Sequence, residues 1–138
     1  QAFKFHSQGN ISEAAKYYQE FINQGFTDKR IYSNYGVVLK DLGNLQEAEL
    51  LQRKAIELNP SLGEAYFNLG IILKASSKLD EALYNFKKAQ EHKMDKKKCL
   101  TEIGRVLLIQ GNHKEGIEKI REGEGAIIFD LNNGFSKI

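Results

Sequence analysis

The sequence predicts an all-α protein, an α-solenoid in which pairs of antiparallel helices stack on one another. Three observations lead to this prediction: a period of 34 residues, two apolar helical stripes within each period, and small residues at fixed places in both stripes. Gly36, Gly70 and Gly104 mark the period, and a leucine follows each of them after three residues. Self-similarity at this spacing is typical of repeat proteins whose units stack in a row.

The period divides this single predicted domain into a partial repeat over residues 1–28 and full repeats over residues 29–62, 63–96 and 97–130. In residues 29–62 a first stripe begins at Tyr32, the turn is Gly43-Asn44, and a second stripe runs from Leu45 to Leu58. Asn59-Pro60 should end the second helix, because proline cannot continue a helix and disfavours helical geometry in the residue before it.

The second helices are predicted to begin at asparagine residues that cap them. Asn44 followed by Glu47 has the form of a capping box, in which side chains satisfy backbone amide groups of the first turn. The same pairing recurs at Asn10 with Glu13 and at Asn112 with Glu115. Lys78 stands at the equivalent place in residues 63–96, so no such box is expected there.

Small residues recur where the two helices of a repeat should cross. Ala48, Ala82 and Gly116 occupy one such position. At a second such position the two earlier repeats have alanine and the last repeat has Gly123. A larger side chain at a close crossing typically costs about 1 to 3 kcal/mol. Glycine inside a helix costs about 1 kcal/mol relative to alanine, so we expect the last second helix to be short or frayed.

Residues 125–138 depart from the period. Ile127, Ile128 and Phe129 are apolar and β-prone, and Asn132-Asn133-Gly134 is a turn signal. A solenoid exposes the apolar end of its last repeat unless something covers it. We therefore expect an irregular tail that caps the last repeat; contact with another chain or a downstream domain is the alternative.

Composition bounds the function classes. With 41% hydrophobic and 28% charged residues the chain is globular, and no apolar stretch approaches the roughly 18 residues of a membrane span. Gln1 lies inside a predicted helix, so we expect a segment cut from a longer protein, with a cytoplasmic location. The basic run at Lys93 and Lys96–Lys98 accompanies a net charge of only +2, which favours a solvated connector over nucleic-acid binding.

Residues suited to catalysis or metal binding are few. Cys99 stands where Ala65 stands one repeat earlier, which favours a buried reduced thiol. His92 and His113 take positions that leucine holds in other repeats, and further ligands are missing at recognisable spacing. We therefore expect no enzyme activity, no cofactor and no metal.

The repeat resembles a known family at one segment above all. Tyr66-Phe67-Asn68-Leu69-Gly70, with Ala82, Phe86 and Ala89, is similar to the tetratricopeptide repeat, and the likeness extends over about residues 1–123. The resemblance implies a right-handed superhelix whose first helices line a concave face, and a role in binding protein or peptide partners. The candidate binding residues on that face are Asn34, Val37, Lys40, Phe67, Asn68, Ile71, Lys74, Lys98 and Arg105. Ser33 and, in the partial repeat, Phe3, His6 and Ser7 are expected to face it too.

Asn34 and Asn68 occupy the same position in successive repeats. An amide side chain both donates to and accepts from a peptide backbone, so the pair is suited to binding an extended strand. It resembles the asparagine ladder of tetratricopeptide domains that precede glycosyltransferase catalytic domains, although Glu102 ends it here. A local structural role for the two amides is the alternative.

The family's carboxylate clamp can be compared position by position. Chaperone-type domains use lysine, arginine and asparagine at five places, which correspond here to Ser33, Val37, Asn68, Lys98 and Glu102. Only Asn68 and Lys98 match, and Glu102 would repel a carboxylate, so we reject a standard clamp. The apolar groove residues flanked by lysine and arginine predict instead an extended, partly apolar and mildly acidic ligand.

Three functions remain open from the sequence. The preferred one is a protein-interaction module that binds an extended peptide or partner segment in the groove. The alternatives are a non-catalytic, substrate-guiding arm of a larger enzyme such as a transferase, and a scaffold that self-assembles through its solenoid ends. The chain is expected to be a monomer or a weak homo-oligomer through its solenoid ends.

Overall fold

The computed structural model describes Ala2, residues 10–125, and the backbone of residues 127–130 and 134–137. The described part is built mainly of helices, as predicted, with a pair of strands at the end. The helices are α1 (Ile11–Asn23), α2 (Lys29–Asp41), α3 (Leu45–Leu58), α4 (Gly63–Ala75), α5 (Leu79–Glu91), α6 (Lys96–Ile109) and α7 (His113–Glu124). The strands are β1 (Ile127–Asp130) and β2 (Gly134–Lys137).

The helices pair in the order that the period predicts. α2 packs on α3, α4 on α5 and α6 on α7, which gives one helix pair for each full repeat. The first helices of successive repeats also contact one another, α2 with α4 and α4 with α6. This row of first helices therefore lines the inner side of the solenoid, and the second helices lie outside it.

The period glycines lie at the close approach within each pair. A Cβ atom on Gly70 would lie 2.6 Å from the Phe86 ring, and one on Gly104 would lie 2.6 Å from the Gly116 carbonyl oxygen. Ala48 and Ala82 are fully buried on the facing helices. The prediction that small residues mark the crossings is confirmed, and the glycines set how closely the helices pack.

Helix starts agree with the predicted capping boxes only in part. The Asn10 side chain accepts from the Glu13 backbone amide at 3.4 Å, whereas the Asn44 amide donates to the Glu47 carboxylate at 2.7 Å and makes no bond to the helix backbone. Within the described residues the Asn112 side chain caps nothing either. Side-chain oxygens of Asp28 and Asp95 cap α2 and α6 instead.

Two other boundary predictions have different outcomes. α3 ends at Leu58, and Asn59 before the proline is extended with φ −146°, as predicted. The last second helix was expected to be short or frayed: among the seven helices given above α7 is the shortest, at 12 residues, but it is not frayed and is continuous through Gly116 and Gly123. A Cβ atom on either glycine would lie within about 3 Å of α6, so close packing against α6 offsets their low helix propensity.

The C-terminal tail is regular rather than irregular. β1 pairs antiparallel with β2, with Phe129 opposite Phe135 and Asp130 opposite Gly134. The physical reason is local: β-branched residues favour a strand, and a turn-forming segment ending in Gly134 lets the chain reverse. Whether the tail caps α7 concerns side chains that lie outside the described residues, so capping stays a prediction.

None of the helices in the described part of the chain combines the length and the apolar character that a membrane span needs. The cytoplasmic location and the extent of the domain stay predictions.

Candidate functional site

The inner row of helices forms a groove with two adjoining cavities. The first has a volume of about 270 Å³ and lies between α2 and α4, with Val37, Phe67, Ile71 and Ile72 as its apolar lining. The second has a volume of about 430 Å³ and lies along α6. Phe67 and Glu102 line both cavities, so the two are parts of one groove.

Most of the predicted binding residues meet in this groove. The first cavity is lined by five of them, namely Val37, Lys40, Phe67, Asn68 and Ile71. Lys98 and Arg105 line the second. Lys74 reaches the groove wall through an ion pair with Glu102, whereas Asn34 lines neither cavity. Phe3, His6 and Ser7 of the partial repeat lie outside the described residues.

Phe67 lines both cavities, and its ring is supported by a residue of the core. Its ring meets the Phe86 ring edge to face, with the centroids 5.5 Å apart. Phe86 is fully buried between α4 and its partner helix α5. Since core packing fixes the supporting ring, Phe67 offers a ligand a firm apolar surface.

The side-chain orientation of Asn68 is set by the preceding repeat. Its amide nitrogen donates to the Ser33 hydroxyl at 3.4 Å, and the Ser33 backbone oxygen accepts from Gln52 at 2.7 Å. Ser33 is therefore buried, contrary to the expectation that it faces the groove. The Asn68 side chain also carries an amide oxygen, which is suited to accept a bond from a peptide N–H.

Asn34 has different surroundings from Asn68, although the two are equivalent in sequence. It lies beside the Tyr18 hydroxyl: burial raises the pKa of Tyr18, and the nearby Asn34 amide partly opposes that rise. The Tyr18 hydroxyl has no partner in hydrogen-bond geometry among the described residues. The two amides therefore do not form a uniform ladder, and Asn68 is the one that lies in a cavity.

Sequence reasoning missed the charge balance of the groove. Glu102 is buried and accepts hydrogen bonds from both Lys74 and Arg105. Lys40 forms an ion pair with Asp41 at 3.2 Å. The cations that were expected to attract an acidic ligand are thus paired within the protein, and this weakens the case for a mildly acidic one. In the sequence, the signal for this ion pair is the carboxylate that stands 28 residues after Lys74.

The second cavity is balanced in charge as well. Its lining contains three cations and three carboxylates, which are Lys97, Lys98, Arg105, Asp95, Glu102 and Glu124. Equal numbers of opposite charges leave little net field to draw in a charged ligand. The groove as a whole is therefore apolar at one end and neutral but polar at the other.

The residues that were considered for catalysis lie in surroundings typical of residues with a structural role. Cys99 is fully buried, and burial raises the pKa of its thiol to about 11. His92 stacks on Tyr66 with the ring centroids 5.2 Å apart, and His113 is exposed at the start of α7. In the described part of the chain, histidine, cysteine and carboxylate side chains form no group of three that could hold a metal ion.

Comparisons with known proteins agree with the repeat. Residues 29–62 and residues 51–84 each match a family model described as the tetratricopeptide repeat. The second match begins inside α3, because a regular period can be entered at any point. A comparison with curated protein sequences finds no match.

Several solved structures have the same fold. The crystal structure of MamA has a TM-score of 0.82 and 20% identity, over 89% of this chain and 72% of that one. YrrB, described as a TPR protein with an unusual peptide-binding site, has a TM-score of 0.80 and 22% identity, over 89% and 65%. The first TPR domain of Spaghetti (RPAP3), bound to the HSP90 peptide SRMEEVD, has a TM-score of 0.75 and 22% identity, over 80% and 87%.

Proposed function

Because this chain is a tetratricopeptide-repeat protein, we propose that it is a non-catalytic interaction module that binds an extended segment of a partner protein in its concave groove. The observation that carries the proposal is the pair of adjoining cavities that share Phe67 and Glu102. An extended peptide can lie along both, with alternate side chains entering the groove.

The chemistry of the lining favours a particular kind of segment. The first cavity is large enough for one large apolar side chain, and its walls are Val37, Phe67 and Ile71. Asn68, with its orientation set by Ser33, is suited to accept from the peptide backbone beside that side chain. The second cavity, with its balanced charges, suits a polar side chain better than a run of acidic ones.

Solved relatives support peptide binding as the type of function. The Spaghetti (RPAP3) domain is described as bound to an HSP90 peptide, and YrrB as having a peptide-binding site. These descriptions apply to those two proteins and do not identify the ligand of this chain. For this chain a carboxylate clamp is not proposed, because Lys74 and Arg105 already form ion pairs with Glu102.

The test is a pull-down from a random peptide library, followed by affinity measurements on a selected peptide by fluorescence anisotropy. Asn68→Ala removes one hydrogen bond and should weaken binding roughly threefold to tenfold. Phe67→Ala should weaken it at least as much. Asn34→Ala together with Asn68→Ala should add little to Asn68→Ala alone, because Asn34 lines neither cavity.

The matched control is Leu50→Ala on the outer side of α3, where the leucine is 67% exposed. This change removes a similar apolar side chain but should leave the affinity unchanged. If the selected peptides bind Asn68→Ala and Phe67→Ala as tightly as the original chain, the groove is not the binding site.

A further inference from the structure

A large cavity lies on the outer side of the solenoid rather than in the groove. It has a volume of about 660 Å³ and lies between the second helices α3 and α5, over the first helix α4. Ile56 and the buried Leu69 give it an apolar lining. From this cavity we propose a second docking site, which takes a lysine or arginine side chain from a segment of a partner protein.

Carboxylates dominate the charge that lines the cavity. Glu57, Asp80 and Glu81 line it, against the single cation Arg53. The Arg53 guanidinium contacts Glu49 at 2.9 Å and Glu81 at 3.1 Å, so Glu81 is paired with it. Glu57 and Asp80 carry the negative charge that remains, and Asp80 also accepts a hydrogen bond from the Gln110 amide at 2.8 Å. Lys54 lies 3.6 Å from Glu57, but the Glu57 side chain is 72% exposed, so water weakens that pair. A cationic side chain entering the cavity would meet carboxylates on both helices.

Two tyrosines complete a site for a cation on an apolar stem. Tyr84 is 59% exposed, and the Lys88 ammonium lies 5.7 Å from its ring centroid, within the distance at which a cation interacts with the face of an aromatic ring. Tyr66 lies on the other helix, where its hydroxyl donates to the Pro60 carbonyl at 2.9 Å and its ring stacks on His92. These contacts hold Tyr66 in place. The methylene stem of lysine or arginine can pack between such rings while its charged end meets the carboxylates.

This site is independent of the concave groove. Its lining residues come from α3, α4 and α5, and it shares none with the two groove cavities. A partner could therefore occupy both faces at once, or two partners could each occupy one.

The experiment uses the full chain, labelled with ¹⁵N, and two capped peptide pools of the form Ala-Xaa-Arg-Xaa-Ala and Ala-Xaa-Glu-Xaa-Ala. We expect the arginine pool to shift the backbone amide signals of Ile56, Glu81 and Tyr84, and the effect to weaken as salt is raised. The glutamate pool should leave these signals unchanged. Equal shifts with both pools, or shifts confined to Val37 and Phe67 in the groove, would overturn the proposal.

Variants make the test specific. Asp80→Asn and Glu57→Gln should each weaken binding of the arginine pool roughly twofold to fivefold, as expected for partly exposed charge pairs. Tyr84→Ala should weaken it at least as much. Glu64→Gln is the matched control, because Glu64 is exposed but does not line the cavity. A loss with Glu64→Gln equal to that with Asp80→Asn would indicate only a general charge effect and would also overturn the proposal. So would shifts that grow with protein concentration alone, since they would mean that a second copy fills the cavity.

Discussion

The Lys74 ammonium and the Glu102 carboxylate belong to neighbouring repeats and form an ion pair inside the groove. Glu102 also accepts from Arg105, one turn further along α6, and is itself only 7% exposed. Partial burial strengthens such bonds, because water competes for them less than it does at the surface. This carboxylate thereby cancels one of the two positive charges that Lys74 and Arg105 would otherwise present to the groove.

Glu102→Gln should therefore change both stability and ligand preference. Lys74 and Arg105 lose a charged acceptor, so we expect the free energy of unfolding to fall by about 1 to 2 kcal/mol. The groove gains one net positive charge. A groove-binding peptide with a central glutamate should therefore gain affinity relative to the same peptide with glutamine at that place. Urea unfolding and fluorescence anisotropy measure the two effects.

The control for this change is Glu124→Gln, at an exposed carboxylate that lines the same cavity. It should lower stability much less. If Glu102→Gln leaves the preference between the glutamate and glutamine peptides unchanged, Glu102 does not set the charge of the groove.

The repeat period explains how much could be predicted. Positions 34 residues apart lie at equivalent places relative to the helix crossings, so the close approach at Gly70 and the burial of Ala48 and Ala82 followed from the pattern. Pro60 fixed the end of α3 through a steric effect that depends only on neighbouring residues. These features are local or repeat with the period, and sequence comparison detects both kinds.

Features that differ between repeats were harder to predict. Lys74 and Glu102 stand at different positions within their repeats, so aligning the repeats does not bring them together. Ser33 was assigned to the groove by its position, yet the neighbouring side chains of Gln52 and Asn68 bury it. Asn34 and Asn68 look equivalent until Tyr18 and Ser33 give them different neighbours. In each case the surroundings of the residue depend on a side chain that comes from another helix.

A larger side chain at a helix crossing should lower the melting temperature. Ala48→Leu and Ala82→Leu each place three extra carbon atoms at a fully buried position, which typically costs about 1 to 3 kcal/mol. Thermal unfolding followed by circular dichroism should show a decrease of several degrees for each variant.

Ala75→Leu is the matched control, because Ala75 is exposed at the end of α4. It should leave the melting temperature close to that of the original chain. An equal decrease for Ala75→Leu, or none for the two buried positions, would contradict the assigned helix crossings.

The turn after each first helix offers a test of backbone strain. Gly43 and Gly111 have φ of +85° and +88° there, and Ser77 takes the same place in the middle repeat with φ of +63°. Residues with a side chain pay roughly 1 to 2 kcal/mol in this left-handed region. Glycine loses more entropy on folding, so we expect Ser77→Gly to raise the free energy of unfolding by about 0.5 to 1 kcal/mol.

The reverse substitution serves as its control. A Cβ atom on Gly43 would have no neighbour within 4 Å, so Gly43→Ser changes the backbone preference without a steric clash. It should destabilise the chain by a similar amount in urea unfolding. Ser77→Gly with an unchanged or lower stability would show that strain at this turn is not significant.

Burial of Cys99 predicts a pH dependence of stability. Its folded pKa is raised to about 11, whereas a cysteine in an unfolded chain ionises near about 8.5. Below that lower value the thiol is neutral in both states, and the stabilisation from keeping it neutral is fully present. As the pH rises from about 8.5 towards 11, the unfolded chain loses its proton first, so stability falls over this window.

Cys99→Ala isolates this contribution, because Ala65 fills the equivalent position one repeat earlier. The variant lacks the titrating group, so its free energy of unfolding should depend less on pH. Between pH 8 and pH 11 the original chain should lose about 1 to 3 kcal/mol more stability than the variant does. Urea unfolding at a series of pH values measures the difference, and iodoacetamide should label Cys99 slowly at pH 8.5 until urea is added. Rapid labelling of the folded chain, or parallel pH profiles for the two proteins, would mean that the thiol is not held neutral by burial.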